Sequence, residues 1–211
     1  MIRIVIVEDS AIVQNYFRDL LEKEEKFQLI ACFDDAFKAE ETCKSGNVDI
    51  VLMDVMTAKN HSGLAAGKRI RESEKGAKVL IVTSLIDPDV IEKAKQGAAD
   101  SLWYKDHGTD ELIQVIYRTV EGEHVFPEEA PNIALGDMFS KDISPRQMQV
   151  LRRFVKGLTY EEIAEELGIT TRGVRWHMNE IMEMGGFKNR HEMLSSILQN
   201  NFIITTLLDE E

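Results

Sequence analysis

Five short apolar runs recur through the first 120 residues, separated by amphipathic stretches, and this alternation restricts the fold more than any other property of the chain. The runs lie near 2–7, 27–33, 49–53, 78–83 and 101–104, and helical periodicity fills 11–24, 35–45, 62–74, 88–96 and 109–120. Runs such as Asp49-Ile50-Val51-Leu52-Met53 are apolar along most of their length rather than at every second residue, which predicts strands buried on both faces. Such strands alternating with helices predict a parallel sheet covered by helices on both sides. Asp87-Pro88 supplies an N-cap followed by proline at the first helical position, and Gly97 suits the end of the same helix.

In a sheet of this kind every strand points the same way, so the residues after the strands gather at one edge, where open α/β sheets bind ligands. That edge would collect Glu8 and Asp9, Asp54, Thr83 with Ser84, and Lys105. A single acid after a strand is commonly the N-cap of the next helix, and a single lysine a solvated charge. Together they make a different object: clustered carboxylates, a hydroxyl and an amine. Oxygen ligands in that number suit Mg²⁺ or Mn²⁺, which favour octahedral oxygen sites that keep several waters. Beside such a metal, a carboxylate can attack a phosphoryl group while cations neutralise its equatorial oxygens. Asp54 would be the nucleophile, Lys105 the cation and Thr83 a hydroxyl donor.

Strand-like runs stop near residue 105 and only helical periodicity follows, so 211 residues divide better into two domains than into one. The net charge of −12 sits mainly in the first part: residues 1–140 carry 16 Lys/Arg against 26 Asp/Glu, a balance of −10, and residues 141–211 carry 9 against 11, a balance of −2. The N-terminus enters a strand directly and no apolar run reaches the roughly 18–20 residues that span a bilayer, which predicts a cytoplasmic protein with no membrane partner. Cys32 and Cys43 are too few for a disulfide framework or a zinc cluster and read as small core residues.

Residues 1–121 resemble the receiver domain of bacterial two-component response regulators, a flavodoxin-like five-stranded parallel fold. The resemblance rests on the acidic pair Glu8-Asp9, on Asp54 at the end of the third strand, on Thr83 after the fourth and on Lys105 after the fifth. It implies phosphorylation of Asp54 by a cognate sensor histidine kinase. It also implies a metal held by Glu8, Asp9, Asp54 and the backbone carbonyl of Met56, with Thr83 and Lys105 stabilising the phosphoryl group. Two positions depart from the pattern. Receivers usually follow the phosphoacceptor with Met-Pro and reach a glycine eight residues on, whereas Val55-Met56-Thr57-Ala58-Lys59-Asn60-His61-Ser62-Gly63 is one residue longer and lacks proline. His61 in that stretch reads as a solvated loop residue. The aromatic usually found three positions before the lysine is Leu102 here, and strand alternation puts Tyr104 on the same face as its substitute.

Between Gly122 and Ile143 periodicity fades, and Pro127, Glu128-Glu129, Pro131 and Gly136 break any helix, so residues 122–140 read as a linker. Residues 141–211 then read as all-α. Ser144-Pro145-Arg146-Gln147 and Thr159-Tyr160-Glu161-Glu162 carry the signature of capping boxes, Gly168 ends the second helix, and a third starts near Thr170-Thr171. Two short helices joined by Leu167-Gly168-Ile169 fit a helix-turn-helix. Val174, Met178 and Ile181 would face inward. On the other face Arg175 could bond a guanine edge or a phosphate, Asn179 an adenine edge, and Trp176 could pack on thymine methyls or sugars. Arg172, Thr170, Thr171, Lys188 and Arg190 lie where helix ends could meet the phosphate backbone.

The series Ile143-Ser144-Pro145-Arg146-Gln147, Gly157-Leu158-Thr159, Glu162-Ile163-Ala164, Leu167-Gly168-Ile169, Val174-Arg175, His177 and Asn189-Arg190 resembles the LuxR-type helix-turn-helix. With the receiver it is similar to the NarL/FixJ class across nearly the whole chain. That resemblance implies a regulator of transcription, not an enzyme, that dimerises when phosphorylated and binds double-stranded DNA. Glu183 stands where relatives often carry a basic residue. The apolar segment from Asn201 to Leu208 reads as a packed C-terminal extension. Two alternatives remain. One is a regulator that binds DNA or a partner without phosphorylation, which would keep its function in Asp54→Asn. The other is an aspartate-nucleophile phosphatase of the haloacid dehalogenase kind, which would carry a second Asp two residues after the nucleophile, where Met56 stands.

Overall fold

The computed structural model describes residues 1–202, the side chains of Asn60 and Pro88 excepted. Two compact units result, one built from residues 1–84 and 88–129, the other from residues 85–87 and 130–202.

The first unit alternates β1 (Ile2–Val7), α1 (Ala11–Leu21), β2 (Phe27–Phe33), α2 (Ala36–Lys44), β3 (Ile50–Met53), α3 (Gly63–Arg71), β4 (Lys78–Thr83), α4 (Pro88–Lys93), β5 (Ser101–Tyr104) and α5 (Thr109–Val120). The five strands pair in parallel in the order β2-β1-β3-β4-β5. Ile4, Val5, Ile50, Val51, Val79, Leu80 and Ile81 are fully buried, as strands covered on both faces require. On one face Ile4, Ile6, Leu52, Leu80, Val82 and Trp103 pack against Phe17 and Leu21 of α1 and Leu112, Val115 and Ile116 of α5. Cys43 is a buried free thiol, pushed up to about 12 by that burial, and Cys32 is free and half-buried.

Several helices are shorter than periodicity predicts. α1 ends at Leu21 rather than near 24, because Glu22 to Glu24 turn back through hydrogen bonds that lead into β2. α4 gives way at Ala94–Ala98 to a wider π-helical turn, which closes on Gly97 at φ 125°. Gly63 opens α3 under Asp54: a Cβ there would lie 1.8 Å from the Asp54 carbonyl oxygen.

Both rims of the sheet are modified. In β2 the register slips between Leu29 and Ala31, leaving Ile30 as the extra residue of a bulge, 39% exposed. At the other rim the chain leaving α5 returns along β5. Leu102 N–H donates to the Val125 carbonyl at 2.9 Å, Val125 N–H to Ser101 Oγ at 3.0 Å, and His124 Nδ1 to the Asp100 carbonyl at 2.8 Å.

The second unit contains a small hairpin, β6 (Ala134–Leu135) and β7 (Met138–Phe139), then α6 (Pro145–Val155), α7 (Tyr160–Leu167), α8 (Thr171–Met184) and α9 (Arg190–Gln199). The hairpin falls within residues expected as linker. Its turn residues Gly136-Asp137 sit between Leu135 and Met138, which are buried in the helical core, and Asp137 N–H donates to the Gly185 carbonyl at 3.0 Å. Ser144 with Gln147 and Thr159 with Glu162 form the reciprocal capping boxes that the sequence predicts. Gly168 ends α7 in the left-handed conformation at φ 61°. Phe202 is buried in this core; residues 203–208 of the expected extension lie outside the described residues.

Because the Asp54 carbonyl is backbone and cannot yield as a side-chain tip would, Gly63→Ala is expected to destabilise the first unit by about 1–3 kcal/mol. Urea unfolding followed by the emission of buried Trp103 measures this, since Trp176 is already 56% exposed when folded.

Candidate functional site

The strand order reverses between β1 and β3, which lie side by side, and the crevice at their carboxyl ends is where such a sheet binds ligands. β1 delivers Glu8 and Asp9 there, and β3 delivers Asp54, whose N–H is fixed by the Val7 carbonyl at 2.9 Å. β4 ends on Thr83 and β5 leads into Lys105, whose N–H donates to the Thr83 carbonyl at 2.9 Å. Five residues from four strands converge, as the sequence predicts.

Lys105 Nζ donates to Asp54 Oδ2 at 2.7 Å and to Glu8 Oε2 at 2.5 Å. The Thr83 hydroxyl and the Val55 N–H also donate to the Asp54 carboxylate. Glu8 Oε1 accepts from Ser10 N–H at 3.0 Å, while the Gln14 amide donates to the Glu8 and Phe33 carbonyls at 2.6 and 3.0 Å and so braces the turn. Glu8 is 3% and Asp54 8% exposed, whereas Asp9 is open to solvent.

Burial raises the Asp54 carboxyl above its ordinary range, against the pull of Lys105 and Thr83. Burial also raises Glu8, and the Asp54 charge adds to it. For Lys105 burial works in the opposite sense, but Asp54 and Glu8 outweigh it and hold the ammonium above its usual value. One ammonium thus bridges two buried acids, with a third, Asp9, close beside them. An oxygen atom from each of Glu8, Asp9 and Asp54 lies within 4.8 Å of the others. Three hard oxygen donors, more acids than the single ammonium pairs with, and one solvent-exposed member fit a divalent cation that keeps part of its water shell.

The other predicted residues fall as follows. Met56 is half-buried two residues past Asp54, paired with Ser62 in an isolated antiparallel bridge. Tyr104 is buried at the end of β5, its ring centroid 6.1 Å from that of His107, and Leu102 and Trp103 are buried with it. His61 is a half-exposed loop residue, but its ring is not simply solvated. Its Nδ1 is 2.7 Å from Oδ1 of Asp35, which is 1% exposed, and this pairing escaped sequence reading because the partners are 26 residues apart.

In the second unit Val174, Met178 and Ile181 are fully buried, so α8 turns the opposite face outward. Arg172, Arg175, Trp176 and Asn179 are exposed on it, Thr170 caps the helix through Gly173 N–H at 3.1 Å, and Thr171 begins it half-buried. Lys188 and Arg190 are exposed near the start of α9, the Arg190 guanidinium lying 4.6 Å above the Tyr160 ring. Burial and the nearby Arg146 lower His177, whose ring centroid lies 4.8 Å from that of Trp176. Glu183 is exposed one turn beyond Asn179.

Comparison with known proteins places both units. Residues 4–117 match the response regulator receiver domain family, and residues 141–196 match the luxR family of bacterial regulatory proteins. The oxygen regulatory protein NreC of Staphylococcus aureus is 24% identical over 214 residues, covering 95% of this chain and 99% of NreC. A two-component response regulator of the LuxR family from Aurantimonas sp. is 28% identical with a TM-score of 0.54, over 58% of this chain and 87% of that one. RcsB from Salmonella enterica serovar Typhimurium, solved on a promoter with the phosphomimetic BeF3⁻, shares the fold at a TM-score of 0.61 and 18% identity, over 93% of this chain and 97% of RcsB. With its carboxylate–lysine pocket in the first unit and its helix-turn-helix in the second, the chain belongs to the response regulators, a receiver joined to a LuxR-type domain in the architecture of DNA-binding regulators of transcription.

Proposed function

We propose that this protein receives a phosphoryl group on Asp54 from a sensor histidine kinase in the cytoplasm and converts that event into promoter binding by a homodimer. The observation that carries the reading is Lys105 bridging buried Asp54 and Glu8, with Asp9 within metal-ligating reach. In the reaction an Asp54 carboxylate oxygen attacks phosphorus, the phosphorus–nitrogen bond of the donor phosphohistidine breaks, and the departing imidazole takes up a proton. The ammonium of Lys105 and the hydroxyl of Thr83 already meet the Asp54 carboxylate, so they stand ready for the charge on the transferred oxygens. Glu8, Asp9, Asp54 and the Met56 carbonyl would hold Mg²⁺ or Mn²⁺, which supplies charge neutralisation for the same oxygens. Tyr104, buried beside Lys105, takes the part of the switch aromatic that Leu102 cannot play.

Among the described residues no helix is long and apolar enough to cross a membrane. The output rests on α8. Arg175, Trp176 and Asn179 read base edges, and Thr170, Thr171, Arg172, Lys188 and Arg190 meet phosphates. A two-fold dimer would present two such helices to half-sites about one DNA turn apart. RcsB, a fold relative, has been solved as dimers bound to DNA.

Acetyl phosphate with Mg²⁺ is expected to add one phosphoryl mass to the full-length protein, and neither chelation of the metal nor Asp54→Asn should leave that gain intact. Intact-mass spectrometry decides; unmodified wild type would refute the reading. For the output, Arg175→Ala and Asn179→Ala should each weaken binding to an operator selected from random duplexes by about 1–3 kcal/mol. Glu183→Gln, which removes an exposed negative charge one turn from Asn179, should tighten it, as fluorescence anisotropy would report.

A further inference from the structure

The longer segment after Asp54 is tied down by contacts to itself and to the start of α2. It first closes on itself. Gly63 N–H donates to the Val55 carbonyl at 2.9 Å, Met56 pairs with Ser62, and the Thr57 hydroxyl donates to the His61 carbonyl at 2.7 Å. Lys59 forms the apex in the left-handed region at φ 61°.

The closed loop is then fastened to the start of α2. Ala58 N–H donates to the Asp34 carbonyl at 2.8 Å, and Ala36 N–H donates to Thr57 Oγ1 at 3.1 Å. The His61 ring reaches Asp35 Oδ1 at 2.7 Å, and Lys59 Nζ lies 3.7 Å from Oδ2. Asp35 is 1% exposed and is also the N-cap of α2, accepting from Phe37 N–H at 2.9 Å. Burial would raise its carboxyl, but His61 and the Phe37 N–H outweigh that and hold it below the usual range. An ionised carboxylate only accepts, so Nδ1 of His61 carries the hydrogen. The Phe37 ring covers the His61 ring at 5.2 Å, and the Arg69 guanidinium covers Phe37 at 5.5 Å. A pair with one member out of solvent is not the weakly held surface contact that screening makes nearly neutral.

One residue more in a loop adds two soft dihedrals. That freedom falls on Met56, whose carbonyl must meet a metal that tolerates little departure from octahedral geometry. We infer that His61, held by Asp35 and with Thr57 as the second tie, is a positioning residue that fixes the Met56 carbonyl for the divalent cation and so sets metal affinity in this loop. The inference rests on the proposed receiver chemistry and goes beyond it, since it assigns a role to side chains that touch neither phosphoryl group nor metal.

The test uses the full-length protein and Mn²⁺, titrated while free aquo Mn²⁺ is followed by electron paramagnetic resonance, with Mg²⁺ as competitor. His61→Ala is expected to weaken Mn²⁺ binding about tenfold, in the range that orienting partners of metal ligands contribute. His61→Asn, whose amide nitrogen can stand in for Nδ1, should restore it. Thermal melting with the metal chelated establishes that the variants fold; if His61→Ala does not, Thr57→Val serves with Thr57→Ser as its rescue. Wild-type affinity in the alanine variant, or equal weakening in His61→Ala and His61→Asn, would overturn the inference while leaving phosphorylation of Asp54 intact. Failure of the wild type both to bind Mn²⁺ and to accept a phosphoryl group would instead overturn the receiver reading beneath it.

Discussion

A single ammonium between two buried carboxylates is the interaction on which the first unit's architecture converges. Glu8 and Asp54 end neighbouring strands, and placing both in a nearly closed crevice is unfavourable unless a cation reaches them. That cation comes from beyond β5, two strands away from β3, a distance of roughly 10 Å across the sheet at ordinary strand spacing. Only a long side chain can cross it, and Lys105 does so over Thr83. Parallel pairing is what makes this possible, because it brings four strand ends to the same edge. Even so, one ammonium meets only two of the three clustered acids, and the proposed divalent cation would meet the rest.

Much of this was legible before any coordinates. Strands buried on both faces announce themselves by composition, and their common direction fixes which sequence-distant residues meet; Glu8, Asp54, Thr83 and Lys105 follow from that alone. Caps built on local rules were equally visible at Ser144, Thr159 and Gly168, where the decisive hydrogen bonds span three or four residues. What escaped depends on pairs that no period encodes. His61 and Asp35 lie 26 residues apart, and nothing in either neighbourhood marks the other. The hairpin at 134–139 was hidden for a different reason: Pro131 and Gly136 read as breakers, although Gly136-Asp137 between Leu135 and Met138 is itself a two-residue turn signal.

The second unit shows how a helix can be apolar enough to pack and polar enough to recognise. Val174, Met178 and Ile181 recur at helical spacing and vanish into the core, which leaves Arg175, Trp176 and Asn179 on the opposite side. The indole among them is 56% exposed and meets only the edge of the His177 ring in the aromatic contacts of the described residues. The charge on that face is mixed, since Glu183 follows in the next turn, so the proposed DNA contacts would lean on directed hydrogen bonds and stacking more than on a broad positive field.

The two rims of the parallel sheet have a consequence for how this protein can meet another. An open strand edge is a template for strand addition, and extended backbone groups there would accept a second chain indiscriminately. Here the Ile30 bulge breaks the hydrogen-bonding rhythm on one side, and on the other Val125 takes the Leu102 N–H of β5 while His124 takes the Asp100 carbonyl just before it. Backbone-mediated growth is thereby blunted at both ends. The proposed dimer would then use helical surfaces, where side chains rather than main chain decide the partner and the contact can be made and broken without unfolding the sheet.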